Sequence, residues 1–185
     1  MHLYRVHHFY SSMETALSIL SDEHQNILKV IDALLTECDG LESGKALDTE
    51  FFTKAIAFVR EYADRFHHAK EEDVLFVELG KDDVHMHCDP LQQMRHEHEL
   101  GRNFITALEK GVAENNKDKI LENAKGYAQL LKEHIFKEDN VLFPMADTAL
   151  HQNSKDNILE KFKQIDQDKN QEKHLLFLKE LEGRK

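Results

Sequence analysis

Apolar residues recur at steps of three and four along most of the chain, the spacing of helices that bury one face. Between Ser12 and Asp39 the stripe is Leu17, Leu20, Ile27, Ile31 and Leu34, and His24 fills the one missing step. The segment DGLESGKALDTE reads as a loop, with Gly40 ending the first helix and Asp48 or Thr49 capping a second from about Phe51 to Leu79. GKDDVHMHCDP breaks the pattern, and Asp89-Pro90 opens a third helix that runs to about Glu114. Asn116 caps a fourth, which continues to Phe143 and which Pro144 kinks or ends. Past the polar stretch His151 to Lys155, the remainder predicts one or two amphipathic helices. The expected fold is all-α: an up-down four-helix bundle over residues 1–150, with a helical extension over 151–185 packed on or beside it.

The first two helices repeat in the next two. SDEHQNILKVIDAL aligns with RHEHELGRNFITAL, placing Glu23-His24 on Glu97-His98, and there the stripe is Leu91, Met94, His98, Gly101, Ile105 and Leu108. FHHAKEEDVLF aligns with the later EHIFKEDNVLF, placing His67 on His134, Glu71 on Glu138 and Leu75-Phe76 on Leu142-Phe143. Counting back by fours, Glu71 follows His67, Ala63 and Val59, while Glu138 follows His134, Leu130 and Gly126, so both pairs extend largely apolar rows. Residues four apart share a helix face, with Cβ atoms about 5–6 Å apart, close enough to hold one ion between imidazole and carboxylate. His68 and Glu72 lie about 100° off that row and are expected to face solvent.

Six such groups in a core, unpaired, cost heavily in desolvation, most of all the carboxylates. Metal coordination resolves the conflict. His24, His67, Glu71, His98, His134 and Glu138 are the candidate ligands, and four imidazoles with two carboxylates suit two iron ions better than magnesium or calcium. With both carboxylates bridging, each iron keeps room for an oxo or hydroxo bridge and an open position for dioxygen, nitric oxide or peroxide. Taken singly, a core histidine is more often a packed residue than a ligand, and a lone His-x-x-x-Glu is commonly a surface pair. Four helices repeating the same inward groups favour the metal reading.

The 185 residues carry 35 acidic and 24 basic side chains, a formal net charge of -11, which disfavours nucleic acid and anionic membrane surfaces as partners. Cys38 and Cys88 stand far apart without a C-x-x-C, so neither a disulfide framework nor a thiolate zinc site is expected, and a reducing cytoplasm fits. Arg5 and the histidines His2, His7 and His8 interrupt the N-terminal stretch before an export signal's apolar region forms, and no run reaches membrane-spanning length.

At LSDEHQNI, FHHAKEEDVLF, MRHEHELGR and HIFKEDNVLFPMA, over about Ser12 to Ala146, the chain resembles the hemerythrin-like HHE cation-binding family. The resemblance implies a bundle around a non-haem di-iron centre with the six residues above as ligands. Two departures bear on function. Oxygen-carrying hemerythrins take a fifth histidine from an H-x-x-x-H pair on the third helix, where this chain has Met94 and Arg102 around His98, and they use aspartate as the last carboxylate. Asp139 rivals Glu138 for that place, and the repeat of the His67-Glu71 spacing favours Glu138. Ferritin-like di-iron oxidases are a poorer match, because their Glu-x-x-His pairs are missing around these histidines.

The resulting expectation is a di-iron protein, monomer or homodimer, that binds dioxygen, nitric oxide or peroxide in oxygen, nitrosative or iron stress. The alternatives are an enzyme at the same centre, as peroxidase, nitric oxide reductase or iron-centre repair protein, and a metal-responsive regulatory module acting through the C-terminal helices. His85, His87 and Cys88 offer an auxiliary metal or redox site, with a polar loop as the simpler reading. Tyr62 and Tyr127 either line a tunnel or pack with satisfied hydroxyls. His96 cannot share a helix face with His98.

Overall fold

The computed structural model describes residues 14–166 and 171–183. His2, His7, His8 and the proposed helix start at Ser12 lie outside them. Helix α1 (Ala16–Glu42) begins at a reciprocal cap: the Thr15 hydroxyl accepts the Ser18 N–H at 3.1 Å and the Ser18 hydroxyl accepts the Thr15 N–H at 2.9 Å. The helix runs through Gly40 rather than ending there. The stop is Gly44, whose φ of +93° is the left-handed conformation that closes a helix, with Lys45 N–H on the Gly40 carbonyl at 2.9 Å and Gly44 N–H on Leu41 at 3.2 Å.

A second rod starts at α2 (Thr49–Phe58), where Asp48 accepts the Phe51 N–H. It continues through wide, π-type turns at Val59–His68 and Glu71–Leu75 and finishes in α3 (Phe76–Leu79). The third rod, α4 (Leu91–Ala113), has Pro90 at its start and ends when Asn115 takes φ +52°. Asn116 then caps α5 (Lys117–Lys137), accepting the Lys119 N–H at 3.1 Å. Pro144 does not end the fourth rod. A π-type stretch, Glu138–Leu142, precedes it, and it falls in the first turn of α6 (Phe143–Ala149), where a missing N–H costs least. Helices α7 (Gln152–Ile165) and α8 (Gln171–Glu182) follow.

Short connections between successive rods give the up-down order, and α5 closes the ring by packing against α1 as well as α4. The described residues contain no strand, and among them no helix is long and apolar enough to cross a membrane. Two apolar clusters fill the interior. One gathers Ile27, Ile31, Phe58, Ala63, Ile105 and Leu131, and the other Leu20, Leu75, Met94, Leu142 and Phe143. The histidines and glutamates of the repeat lie along the rods between these clusters, as the order Leu20, His24, Ile27 on α1 shows.

The extension covers both ends of this core. Ile158 and Phe162 of α7 are buried with Leu20 and Leu75. Phe177 of α8 lies 6.2 Å from the Phe51 ring and 6.1 Å from Phe58. Truncating a large, fully buried aromatic removes its transfer energy and leaves a cavity, so Phe162→Ala is expected to cost about 3–5 kcal/mol of unfolding free energy, read as a lowered urea midpoint. A shift no larger than a surface substitution gives, about 0.5 kcal/mol, would show α7 to be an appendage.

Candidate metal centre

Each rod contributes one histidine to the polar layer. His24, His67, His98 and His134 are at most 2% exposed, and Glu71 and Glu138 are fully buried. Their innermost atoms interleave. Glu71 places Oε1 3.5 Å from His67 Nε2 and Oε2 3.4 Å from His98 Nε2, while Glu138 places Oε2 3.2 Å from His24 Nε2 and Oε1 3.2 Å from His134 Nε2. Each carboxylate therefore spans the two halves of the repeat. These approaches lack hydrogen-bond geometry: all four glutamate oxygens and His24 Nε2 are buried without a partner. Buried carboxylate oxygens with no donor are what a cation would satisfy.

Outside this layer a ring of carboxylates holds the imidazoles by their other nitrogen. The Nδ1–H of His24 donates to Asp139 at 3.0 Å, that of His67 to Glu23 at 2.9 Å, that of His98 to Glu72 at 2.6 Å and that of His134 to Glu97 at 2.9 Å. Such bonds place the Nδ1 proton on the outer side and aim Nε2 inward, the nitrogen that a metal ligand presents once its own proton has left; the Nε2 atoms of His98 and His134 lie 3.0 Å apart. The ring obeys the repeat too: Lys70 pairs with Glu23, and Lys137 with Glu97. Phe143 stacks on His24 at 5.6 Å, and Phe76 on His98 at 6.0 Å. The Glu-His dipeptides at Glu23-His24 and Glu97-His98 and the His-x-x-Lys-Glu runs at His67 and His134 were the sequence signals for this ring. Asp139, the rival of Glu138, belongs to the ring.

Two positions differ from expectation. His68 and Glu72 do not turn to solvent. His68 is 6% exposed and stacks on the His98 ring at 3.8 Å, and Glu72 bonds His98. The cause is the wide turn at Val59–His68: hydrogen bonding to i+5 spreads the turn over more residues, so two consecutive histidines reach the interior. The Nδ1–H of His68 donates to Asp64 at 3.2 Å, the same device as in the other four. Two groups of potential ligands result, His24, His67, Glu71, Glu138 and His68, Glu71, His98, His134, each with one atom per residue lying within 4.8 Å of the others. The two tyrosines divide. Tyr62 accepts a hydrogen bond from Asn26 at 3.1 Å, but the buried Tyr127 hydroxyl has no partner. His85, His87, Cys88 and His96 are exposed and fall in neither group. Both cysteines are free thiols.

The protonation of the centre mirrors its unmet charge. Burial opposes a charge on His24 and His134, yet for His24 the bond to Asp139 and the nearby Glu138 carboxylate prevail, lifting it to about 9. The Glu138 and Glu97 carboxylates likewise lift His134 to about 10. Burial first, and then the neighbouring Glu138 charge, push Glu71 well above the usual carboxylate range. Burial would raise Glu138 as well, but His134 and His24 hold it well below. His67 is driven down by burial and by the His24 charge. Without a cation, the layer draws in protons.

Histidine and carboxylate side chains converging from four rods make a candidate cation site in the core of a helical bundle. The hemerythrin HHE cation-binding domain profile matches residues 15–146, and the chain belongs to that family. Comparisons with curated proteins and with solved structures gave no match.

A proton must leave each imidazolium before its nitrogen can bind an ion. In the metal-free protein the raised values of His24 and His134 contribute stability that is complete below about pH 6.5 and is lost as pH rises through about 9 and 10. Metal affinity has the opposite sign. It is expected to rise by up to about a hundredfold per pH unit between 7 and 9, one decade for each proton displaced, in competition titrations against a chelator. An affinity that is flat across that window counts against these groups as the ligands.

Proposed function

We propose that this chain is a non-haem di-iron protein that binds a small ligand, dioxygen, nitric oxide or peroxide, in the response to oxygen, nitrosative or iron stress. The observation that carries this reading is the pair of donorless carboxylates, Glu71 and Glu138, each flanked by an Nε2 from both halves of the repeat. His24 and His67 would hold one ion and His98 and His134 the other, with Glu71 and Glu138 spanning both. A mixed imidazole and carboxylate set favours iron over the hard cations magnesium and calcium. Bound there, two irons supply a redox couple and a coordination position for the ligand. The protein's part is to aim the imidazoles through Glu23, Glu72, Glu97 and Asp139, and to exclude bulk water with the apolar clusters on either side. Free Cys38 and Cys88 suit a reducing cytoplasm, and the acidic net charge leaves nucleic acid and membranes out of the reading.

One contact favours a second reading, regulation through the C-terminal extension. Lys70 is fully buried, pairs with Glu23 behind His67, and pairs also with Asp166 at the end of α7 at 2.6 Å. A change of charge at the metal layer would reach α7 through this chain.

Metal content of anaerobically purified protein, followed by its absorption spectrum on exposure to air, tests the first reading. Two irons per chain and a new charge-transfer band are expected, and Glu71→Gln and Glu138→Gln are expected to lose most of the iron. No bound metal, or one zinc with no spectral change, would overturn it. For the second reading, hydrogen exchange in α7 is expected to differ between reduced and oxidised protein and to lose that difference in Asp166→Asn. Identical exchange in both states would leave α7 a structural cover.

A further inference from the structure

The two halves of the repeat part company at a group of touching residues. Asp64 and His68 of the second rod correspond to Leu131 and Ile135 of the fourth, and Arg102 of the third rod to Leu28 of the first. Leu131 and Ile135 are buried in the apolar core, and Leu28 packs against it. Where that half has aliphatic side chains, the other builds a polar chain. Arg102 donates from Nε to Asp64 at 2.9 Å, and Asp64 accepts the Nδ1–H of His68 at 3.2 Å. The same guanidinium donates to Glu72 at 2.8 Å, and Glu72 holds His98. One arginine therefore fixes the outer carboxylates of two imidazoles that stack with centroids 3.8 Å apart and planes within 12°.

The backbone differs at the same place. The π-type turn Val59–His68 has no counterpart, because the corresponding residues 126–135 lie inside the regular helix α5. Wide turns give up regular hydrogen bonding and persist where they place a particular side chain. Packing does not call for a histidine here, since an isoleucine fills the corresponding position of the fourth rod.

The inward groups show what the extra imidazole joins. Glu71 is common to both sets of converging ligand atoms. One set adds His24, His67 and Glu138, and the other adds His68, His98 and His134. With Nδ1 of His68 turned to Asp64, Nε2 is the atom it offers to that set, as in the other four histidines. The two sets are unlike: one balances imidazoles with carboxylates, and the other is dominated by imidazole, the ligand that suits transition metals such as zinc and iron.

We infer that His68 is a further metal ligand, joining His98 and His134 at one of the two ion positions, and that this added imidazole makes that position the first to fill with a divalent transition metal. The inference rests on the metal reading proposed above, in which His68 has no part. Asp64 and Arg102 are positioning residues, which touch no ion and hold the ring as Glu23, Glu72, Glu97 and Asp139 hold the others.

Cobalt(II) and zinc are the probes, on metal-free full-length protein. In the cobalt-loaded wild type, proton NMR is expected to show a strongly shifted, exchangeable ring N–H for each of His24, His67, His68, His98 and His134. His68→Ile, which installs the residue of the corresponding position, is expected to lose one of these signals and keep the rest. Zinc competition against a chromophoric chelator is expected to resolve two unequal steps in wild type. In His68→Ile the tighter step is expected to weaken at least about tenfold, no less than losing a partner that merely orients a ligand costs. Strongly shifted signals for His24, His67, His98 and His134 alone, in wild type holding two cobalt ions, overturn the ligand whether or not the variant folds. Unchanged zinc affinity in a folded His68→Ile does the same, and equal zinc steps in wild type overturn the order of filling. A wild-type chain that takes up neither metal defeats the metal reading, and this inference with it.

Discussion

The structure is organised around two buried carboxylates that face imidazoles without hydrogen-bonding them. Glu71 and Glu138 sit in the middle of the bundle with every side-chain oxygen buried, outside hydrogen-bond geometry, and 3.2 to 3.5 Å from an imidazole Nε2. A buried carboxylate charge costs several kcal/mol even after the surroundings relax. The fold meets this cost with apolar clusters above and below, four histidines pointing inward, and an outer ring that leaves the imidazoles no freedom to turn away. Two of the three described π-type stretches begin at these very residues, Glu71 and Glu138, at corresponding positions of the repeat. Such turns concentrate at functional sites because they trade regular hydrogen bonding for the placement of particular side chains.

Much of this was legible along the chain. The rods follow from three-and-four spacing, their starts at Asp48 and Asn116 from capping chemistry, and the inward rows at His67-Glu71 and His134-Glu138 from counting by fours. The misses at His68 and Glu72 share one cause, which is that a count at about 100° per residue assumes a regular α-helix. Where the second rod widens, His68 and Glu72 rotate back toward the interior, and no composition signal announces a π-type turn. Gly40 misled for a different reason: a glycine inside a helix is tolerated, and only the left-handed backbone at Gly44 shows which of two nearby glycines ends it. The outer ring was visible as a repeated Glu-His and His-x-x-Lys-Glu grammar, but its meaning depends on contacts between rods that spacing along one rod does not reveal.

The repeat explains what is equivalent in the two halves, and its breaks show where they differ. Glu23 and Glu97, Lys70 and Lys137, Phe76 and Phe143 act in matching pairs. Around them, Lys70 is sealed by Asp166 and by the rings of Phe66 and Phe162, whereas Lys137 remains 38% exposed. A cavity of about 210 Å³ lined by His68, His98 and Gly101 lies on one flank, and buried Ile27 and Ile135 stand at the positions corresponding to Gly101 and His68 on the other. One half is thus tied to the C-terminal extension and the other to solvent, a division that a symmetric ion pair alone would not require.

Charge balance argues for the kind of cation such a centre takes. Glu23, Glu71, Glu72, Glu97, Glu138, Asp139, Asp64 and Asp166 outnumber Lys70, Lys137 and Arg102 by more than two to one within one connected network. Without an ion, protons on His24, His134 and Glu71 make up part of the difference, which is why burial fails to keep those two imidazoles neutral. One monovalent cation in place of these protons would leave most of the excess uncompensated in a low-dielectric interior, where each unmatched charge costs most. On the proposed reading, two divalent ions, one against each pair of inner histidines, would displace the protons and offset the excess together, at positions flanked by the oxygens of Glu71 and Glu138.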